Sequence, residues 1–579
     1  MKKIELLALC AMVVACGCSK ENIWGNTDQS STSGVTGSTT FNIVADSEDA
    51  IASTQFDRTI TITFSDSEGA SVTGDEKGVV SISGNAVTVN NTTTTEKVKY
   101  VLTGSTTNGF IKLYSNNKQA LFLDGVSITN PGGAAINNQG KKRCFVVVSG
   151  KNTLADGASY NTPEEEDEKA AFFSEGQLIF SGEGTLTITA KGKSGLTSDD
   201  YIHFLGTQTV NVSSSAGHGI RGKDYIMVSG GTISSEVSAA MKKGMSSDSL
   251  VVFNGGNTTI KVTGGTAYDS DDAEYKGSAG IKADQFFVMA DGTLTITNSG
   301  QGGKGISCDG PAYFQGGKVS VTVTGSNYGS SSSSGGGRPG GWGGGSSSSD
   351  NSKSAKGIKV DGNIYISNGD VYAYAKNHEA IESKAQIQIT GGTVYAQSGD
   401  DAINSKGNMA ITGGHVCAYS TGNDGLDANG NCYIEGGVVY AIGSGSPEVA
   451  IDANTEGGYK LYVNGGIIFA IGGLESGSVL SQECYSTSWS KNNWYAMTVG
   501  NDTYCFKSPA SGGSGLVVSG ASKPTVYTSV TPTGGTEEFN GMAVFGGSAD
   551  GGSQVTITSY SNGGGMGGGM PGGPGGWGW

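Results

Sequence analysis

The sequence predicts an all-β chain folded as one right-handed, single-stranded parallel β-helix, a stacked solenoid. Three observations carry this reading. First, five related phrases start at Gly357, Ala380, Ala402, Gly425 and Ala450, spaced 23, 22, 23 and 25 residues apart. A period in the low twenties built of short β-type runs divided by Gly-Gly marks a stacked solenoid rather than a propeller, whose blades need about 40 residues. Second, period-2 alternation places Val394 with Ala396, Val416 with Ala418, Val439 with Ala441 and Ile468 with Ala470 on one face, so aliphatic columns stack inward. Third, no helical spacing interrupts the strands, and the crossover rule makes the coil right-handed.

The elements follow in chain order. Lys2 and Lys3 precede an apolar run from Ile4 to Ala15, the form of an export signal over residues 1–18. The run is too short to span and remain in a bilayer. It ends in Cys16-Gly17-Cys18, which resembles a bacterial lipobox, so Cys18, or alternatively Cys16, is expected to carry a lipid. An exported, membrane-anchored lipoprotein at the outer membrane or cell surface follows. Residues 19–40, rich in Ser, Thr, Gly and Asn, read as a flexible linker. Residues 41–540 read as the β-helix, opening with alternating runs such as Thr59-Ile60-Thr61-Ile62-Thr63-Phe64. A Gly/Ser-rich loop at 326–354 interrupts it, and a Gly-rich tail occupies 541–579.

Charge narrows the partners. The net charge is -16, and the four arginines, Arg58, Arg143, Arg221 and Arg338, are scattered, which argues against nucleic acid. Six cysteines follow the signal without a C-x-x-C pair, so a zinc site is not expected. A disulfide between Cys484 and Cys505 is one option in an oxidising compartment.

Two columns and two lysines stand out as candidate sites. Glu379, Asp401 and Asp424 align just before the small-Ile/Leu pairs, and Glu382, Asn404, Asp427 and Asp452 align three residues on. Asp400 and Asn423 add oxygens at the turn. Carboxylates stacked at ~4.8 Å repel unless a cation lies between them, and oxygen donors on loose turns suit Ca²⁺ over Mg²⁺. Solvated turn residues, neutralised by Lys384 and Lys406, are the other reading. Tyr372, Tyr395, Tyr440 and Phe469, flanked by Tyr374 and Tyr419, form an outward aromatic column broken by Cys417. Such a column serves as a platform for sugar rings or packs under a covering loop or tail. Tyr365, Tyr433 and Tyr462 make a second, partial column. Lys384 and Lys406 are weak candidates for a lyase base, since a lysine among carboxylates stays protonated.

The run Leu121-Phe122-Leu123-Asp124-Gly125-Val126-Ser127-Ile128-Thr129-Asn130, then Gly219-Ile220-Arg221-Gly222-Lys223-Asp224, Gly399-Asp400-Asp401-Ala402-Ile403 and Asn423-Asp424-Gly425-Leu426-Asp427, resembles one bacterial family. That family is the calcium-binding, polysaccharide-binding parallel β-helix proteins, and the architecture also resembles family 9 pectate lyases. The resemblance implies a cell-surface lipoprotein that binds a polysaccharide of the plant cell-wall type, such as pectate or a cellulose-like glucan. A calcium-dependent pectate lyase and an adhesin-like surface protein are the alternatives. The chain departs from the family's Asp-Asp-Gly-Ile phrase at Ala402, and Ala240-Met241 and Gly280-Ile281 have no acidic pair before them.

Overall fold

A computed structural model describes residues 24–25, 40–161, 163, 166–329 and 352–561. The proposed signal, its cysteines Cys16 and Cys18, most of the linker, Trp342 and the chain end lie outside the described residues. The described chain contains no α-helix, and no helix is long and apolar enough to cross a membrane.

The body is a β-solenoid. A 15-stranded sheet runs in register from Val80–Ser83 through Ile403–Ser405 and Leu426–Ala428 to Ile451–Ala453. Beyond its first hairpin every neighbour in that sheet is parallel. A second, 29-stranded sheet takes the other strands of each turn, for example Met409–Ile411 and His415–Ser420. Each turn therefore contributes a strand to the first sheet and one long or two short strands to the second.

The inward columns match the alternation. Ile358, Ile381, Ile403, Leu426 and Ile451 pair in register and are fully or almost fully buried. Burial of such aliphatic side chains is the main stabilising term, about 1.5–3 kcal/mol each. The turns between strands fix the glycines. Gly369, Gly392, Gly414, Gly437 and Gly466 all have φ between +75° and +85°. A Cβ on Gly414 would lie 2.7 Å from the carbonyl carbon of Gly391. Neither the backbone conformation nor the space admits another residue there.

Both ends and one flank are covered. At the N-terminal end, the hairpins Arg58–Ser65/Ser71–Thr73 and Val80–Ser83/Ala86–Asn91 close the coil. Residues 41–57 then run as a strap along the outside of the solenoid. Phe41 exchanges hydrogen bonds with the Gln315 side chain and packs on Phe286 and Tyr313, 5.1 and 5.3 Å between ring centroids. Midway, buried Asp49 accepts from Arg143 Nε (2.8 Å) and Tyr201 (2.6 Å) and contacts His203 Nδ1 at 2.7 Å. Phe56 meets Phe145 edge-on.

At the C-terminal end the regular coil stops with Ile467–Ile471, which pairs antiparallel with Leu516–Ser519. A six-stranded antiparallel sheet follows, from Trp494–Val499 to Ser548–Val555. The last part of the expected 41–540 solenoid is thus a cap, and the cap continues past residue 541 into the expected tail. Cys484 and Cys505 lie in separate strands, and both are free and buried, so the disulfide option is corrected. Each packs as a small apolar side chain in a different cluster.

Candidate functional site

The register places the acidic column as a ladder. Glu382, Asn404, Asp427 and Asp452 occupy consecutive rungs, and Glu379, Asp401 and Asp424 precede the inward pairs beside them. Although they sit at turns, Glu379, Glu382, Asp401 and Asp424 are only 6–8% exposed. They are not solvated turn residues.

The ladder divides into two parts. On the first rungs the protein supplies its own cations. Lys356 Nζ lies 3.1 Å from Glu379 and 2.7 Å from Glu382. His378 Nδ1 contacts Glu379 and lies 3.0 Å from Asp400. Burial works to lower the His378 pKa, but its bonds to Asp400 and Glu379 win and raise it to about 9. Glu379 stays below the usual carboxylate range despite burial, because His378 and Lys356 face it. The hydrogen bond from His378 holds Asp400 down in the same way.

On the later rungs the balance reverses. Asp401 accepts from the Asp424 amide and Asn404 Nδ2, both at 3.1 Å. Asp424 accepts from the Val449 amide at 2.6 Å, and Asp427 from Asn404 and Asn429. Among the described residues, no lysine, arginine or histidine pairs with Asp401, Asp424, Asp427 or Asp452. Burial, followed by the charges of Asp427 and Asp400, pushes Asp401 up to about 8. Burial and nearby acids, Glu448 first, raise Asp424 to about 7. Asp427 rises to about 6 for the same kinds of reason. Burial and the neighbouring Glu475 raise Asp452. These carboxylates stand on neighbouring rungs without a cation partner among the described residues, whereas ligand atoms within 4.8 Å of one another occur at His378, Glu379 and Asp400 and at Asp167, Glu175 and Asp199. Oxygen donors of this kind are the type that hard divalent cations take, and Asn404 turns its amide nitrogen, not its oxygen, toward Asp401 and Asp427.

Lys384 and Lys406 do not fill the deficit. They lie at the next corner, lining a shallow depression with Asn363, Ala385, Gln386 and Gly407. Among the described residues no ion pair links either to the ladder. Lys356, which does neutralise part of it, is the counterpart of Glu379 one rung earlier. Comparing Lys356-Gly357-Ile358 with Glu379-Ala380-Ile381 exposes that position in the sequence.

The aromatic column needs correction. Tyr372, Tyr395, Cys417, Tyr440 and Phe469 are in register and point outward as expected. The antiparallel cap lies over them. Tyr440 and Phe469 are fully buried and Tyr395 is 5% exposed. Tyr440 donates to the Lys507 carbonyl at 2.6 Å, and Phe469 stacks on Phe506 at 4.6 Å. Tyr372 and Tyr419 pack at the edge of the same cluster, and Tyr374 lies half-exposed beside them. The column is therefore chiefly the core between solenoid and cap. In the second column Tyr365 is buried against Tyr313. Tyr433 and Tyr462 remain partly open, stacked at 4.9 Å with planes 9° apart. They stand on the turns that carry Asp427 and Asp452.

Fold and site define a β-solenoid with an acidic ladder and an open pair of stacked tyrosines. The chain belongs to the carbohydrate-binding domain-containing protein family, whose model matches residues 83–239, 234–329 and 329–402, more than half of the chain. A search of curated proteins finds no match. Among solved structures, a polysaccharide lyase-like protein from C. thermocellum, determined as a gadolinium derivative, is similar at 22% identity. The likeness covers 44% of this chain and 96% of that one with a TM-score of 0.35.

Proposed function

We propose that this protein is a surface-anchored lipoprotein that binds plant cell-wall-type polysaccharide on a calcium-stabilised solenoid. Family membership supports the carbohydrate role. The observation that supports the calcium assignment is the set of carboxylates on neighbouring rungs, Asp401 and Asp424 buried and Asp427 and Asp452 half-buried, with no protein cation paired to them among the described residues. Glu379, Glu382 and Asp400, also expected as ligands, are paired with Lys356 and His378, which supports assigning the ion to the later rungs, although the ligand atoms of His378, Glu379 and Asp400 lie within 4.8 Å of one another. Calcium there would tie adjacent turns together, and its binding to the folded state alone would stabilise it by mass action. Sugar rings would stack on Tyr433 and Tyr462, whose spacing of 4.9 Å follows the rungs. Lipidation at Cys18, or at Cys16, would hold the solenoid at the membrane.

Calorimetric titration of the chelator-treated chain with calcium and magnesium tests the ion. Saturable calcium binding is expected, weakened by Asp424→Asn with Asp427→Asn and not reproduced by magnesium. Absence of calcium binding removes the ion from this account. A glycan array probed with wild type and with Tyr433→Ala/Tyr462→Ala tests the platform, and undiminished binding by the double variant places the sugar elsewhere.

A further inference from the structure

The face that is acidic after Glu379 is basic before it. Lys243, Ala279, Lys304 and Lys356 follow one another in register on consecutive rungs. Lys356 has carboxylate partners. Lys243 and Lys304, two rungs or ~9.6 Å apart, reach only backbone carbonyls, of Met241 and, at 3.4 Å, of Gly302. Among the described residues no carboxylate pairs with either amine. Burial first, then the ammonium groups around them, pushes both lysines down to about 8. This place lacks an anion in the way the later rungs lack a cation.

Two insertions rise beside these amines. Ala267–Asp269 and Glu274–Lys276 form an antiparallel hairpin in which Tyr268 faces Tyr275. Tyr328 forms an antiparallel bridge with Lys353, closed by backbone hydrogen bonds of 2.8 and 3.0 Å. The Tyr275 ring lies 5.3 Å from both the Tyr268 and the Tyr328 rings, and Tyr268 is 53% exposed. The glycines between fix the proximity. A Cβ on Gly277 would stand 3.5 Å from Lys304 Nζ, and one on Gly302 would stand 2.9 Å from Lys353 Cβ. The Lys304 amine therefore lies between the base of the hairpin and the Tyr328–Lys353 bridge. Of the hairpin's four acids, Asp269 and Asp272 pair with Lys276, and Asp271 and Glu274 stand exposed at its tip, where among the described residues neither pairs with Lys243 or Lys304.

We propose that this corner is a second glycan site, selective for an acidic polysaccharide. The tyrosine rings stack sugar faces, and Lys243, Lys304 and Lys353 receive the carboxylate or sulfate groups. Open aromatic faces next to uncompensated ammonium groups match a ligand that is both ring-bearing and anionic. The family match spans residues 83–402 and so contains this whole corner. The inference rests on the carbohydrate reading above and adds a location and a ligand charge.

Calorimetric titration of the full chain with an oligogalacturonate and with its methyl ester, both in chelator, tests it. Chelator removes any calcium bridge between ligand and acidic ladder. The acid form should bind about tenfold or more tighter than the ester, a difference of about 1.4 kcal/mol. Lys304→Met should remove most of that preference, and Tyr268→Ala, at an exposed position, should weaken both ligands while leaving the melting temperature unchanged. The proposal is overturned if the two forms bind equally, or if Tyr268→Ala and a folded Lys304→Met both bind as wild type does. Loss of that kind with neutral-glycan binding intact leaves the carbohydrate reading standing, whereas a wild type that binds no glycan overturns both.

Discussion

Lys356 and Asp424 stand at the same place in their repeats, directly before the small residue and the inward aliphatic one, yet their surroundings are opposite. Lys356 sits between two carboxylates that meet its charge, while Asp424 is buried among other acids. The sign of the pH effect follows. Asp401, Asp424 and Asp427 have folded-state pKa values of about 8, 7 and 6, all above the ordinary value of 3.8. Between pH 4 and pH 8 the unfolded chain has released protons that the metal-free folded chain still holds. Stability without metal therefore falls as pH rises through that window. For Asp424 the loss is roughly 2 kcal/mol after allowance for screening. In chelator, the melting temperature should drop from pH 5 to pH 8, and Asp424→Asn should flatten the drop. A metal-free melting temperature that is level or rises across this range would contradict the charge assignment.

At the scale of elements, the coverings decide which surfaces are open. The cap turns a platform into a core, because Phe506 and Lys507 occupy the space a sugar would need above Phe469 and Tyr440. The strap works on a different flank, held midway by Asp49, which is 2% exposed. Burial alone would raise the Asp49 pKa, but bonds from His203 and Tyr201 and the charge of Arg143 keep it low. Asp49→Ala leaves Arg143, Tyr201 and His203 without their shared acceptor at a cost of about 3 kcal/mol. Limited proteolysis of this variant should cut within residues 41–57 well before the solenoid is cut. Resistance equal to wild type would mean that the ring contacts at Phe41 and Phe56 suffice to hold the strap.

For the whole molecule, the legible part of the sequence is the part that repeats. The inward aliphatic columns, the glycine turns and the acidic ladder all follow from aligning phrases about 23 residues apart, since stacking converts sequence period into spatial register. What lacks a period was not legible. Phe41 meets Gln315 across 274 positions, and no local pattern signals that pairing. The cap's strands alternate like those of the solenoid, so alternation alone does not say that they fold back over Tyr440. The corner of Tyr268, Tyr275 and Tyr328 arises from two insertions that interrupt the repeat, and only the fold brings them together. The central claim is that the assembled surface holds polysaccharide. Co-sedimentation of the full calcium-loaded chain with a panel of cell-wall polymers, neutral and acidic, tests it most directly. Saturable depletion from the supernatant by at least one polymer, competed by the soluble oligosaccharide of the same type, is the predicted result. Full recovery of the protein in the supernatant with every polymer would contradict it.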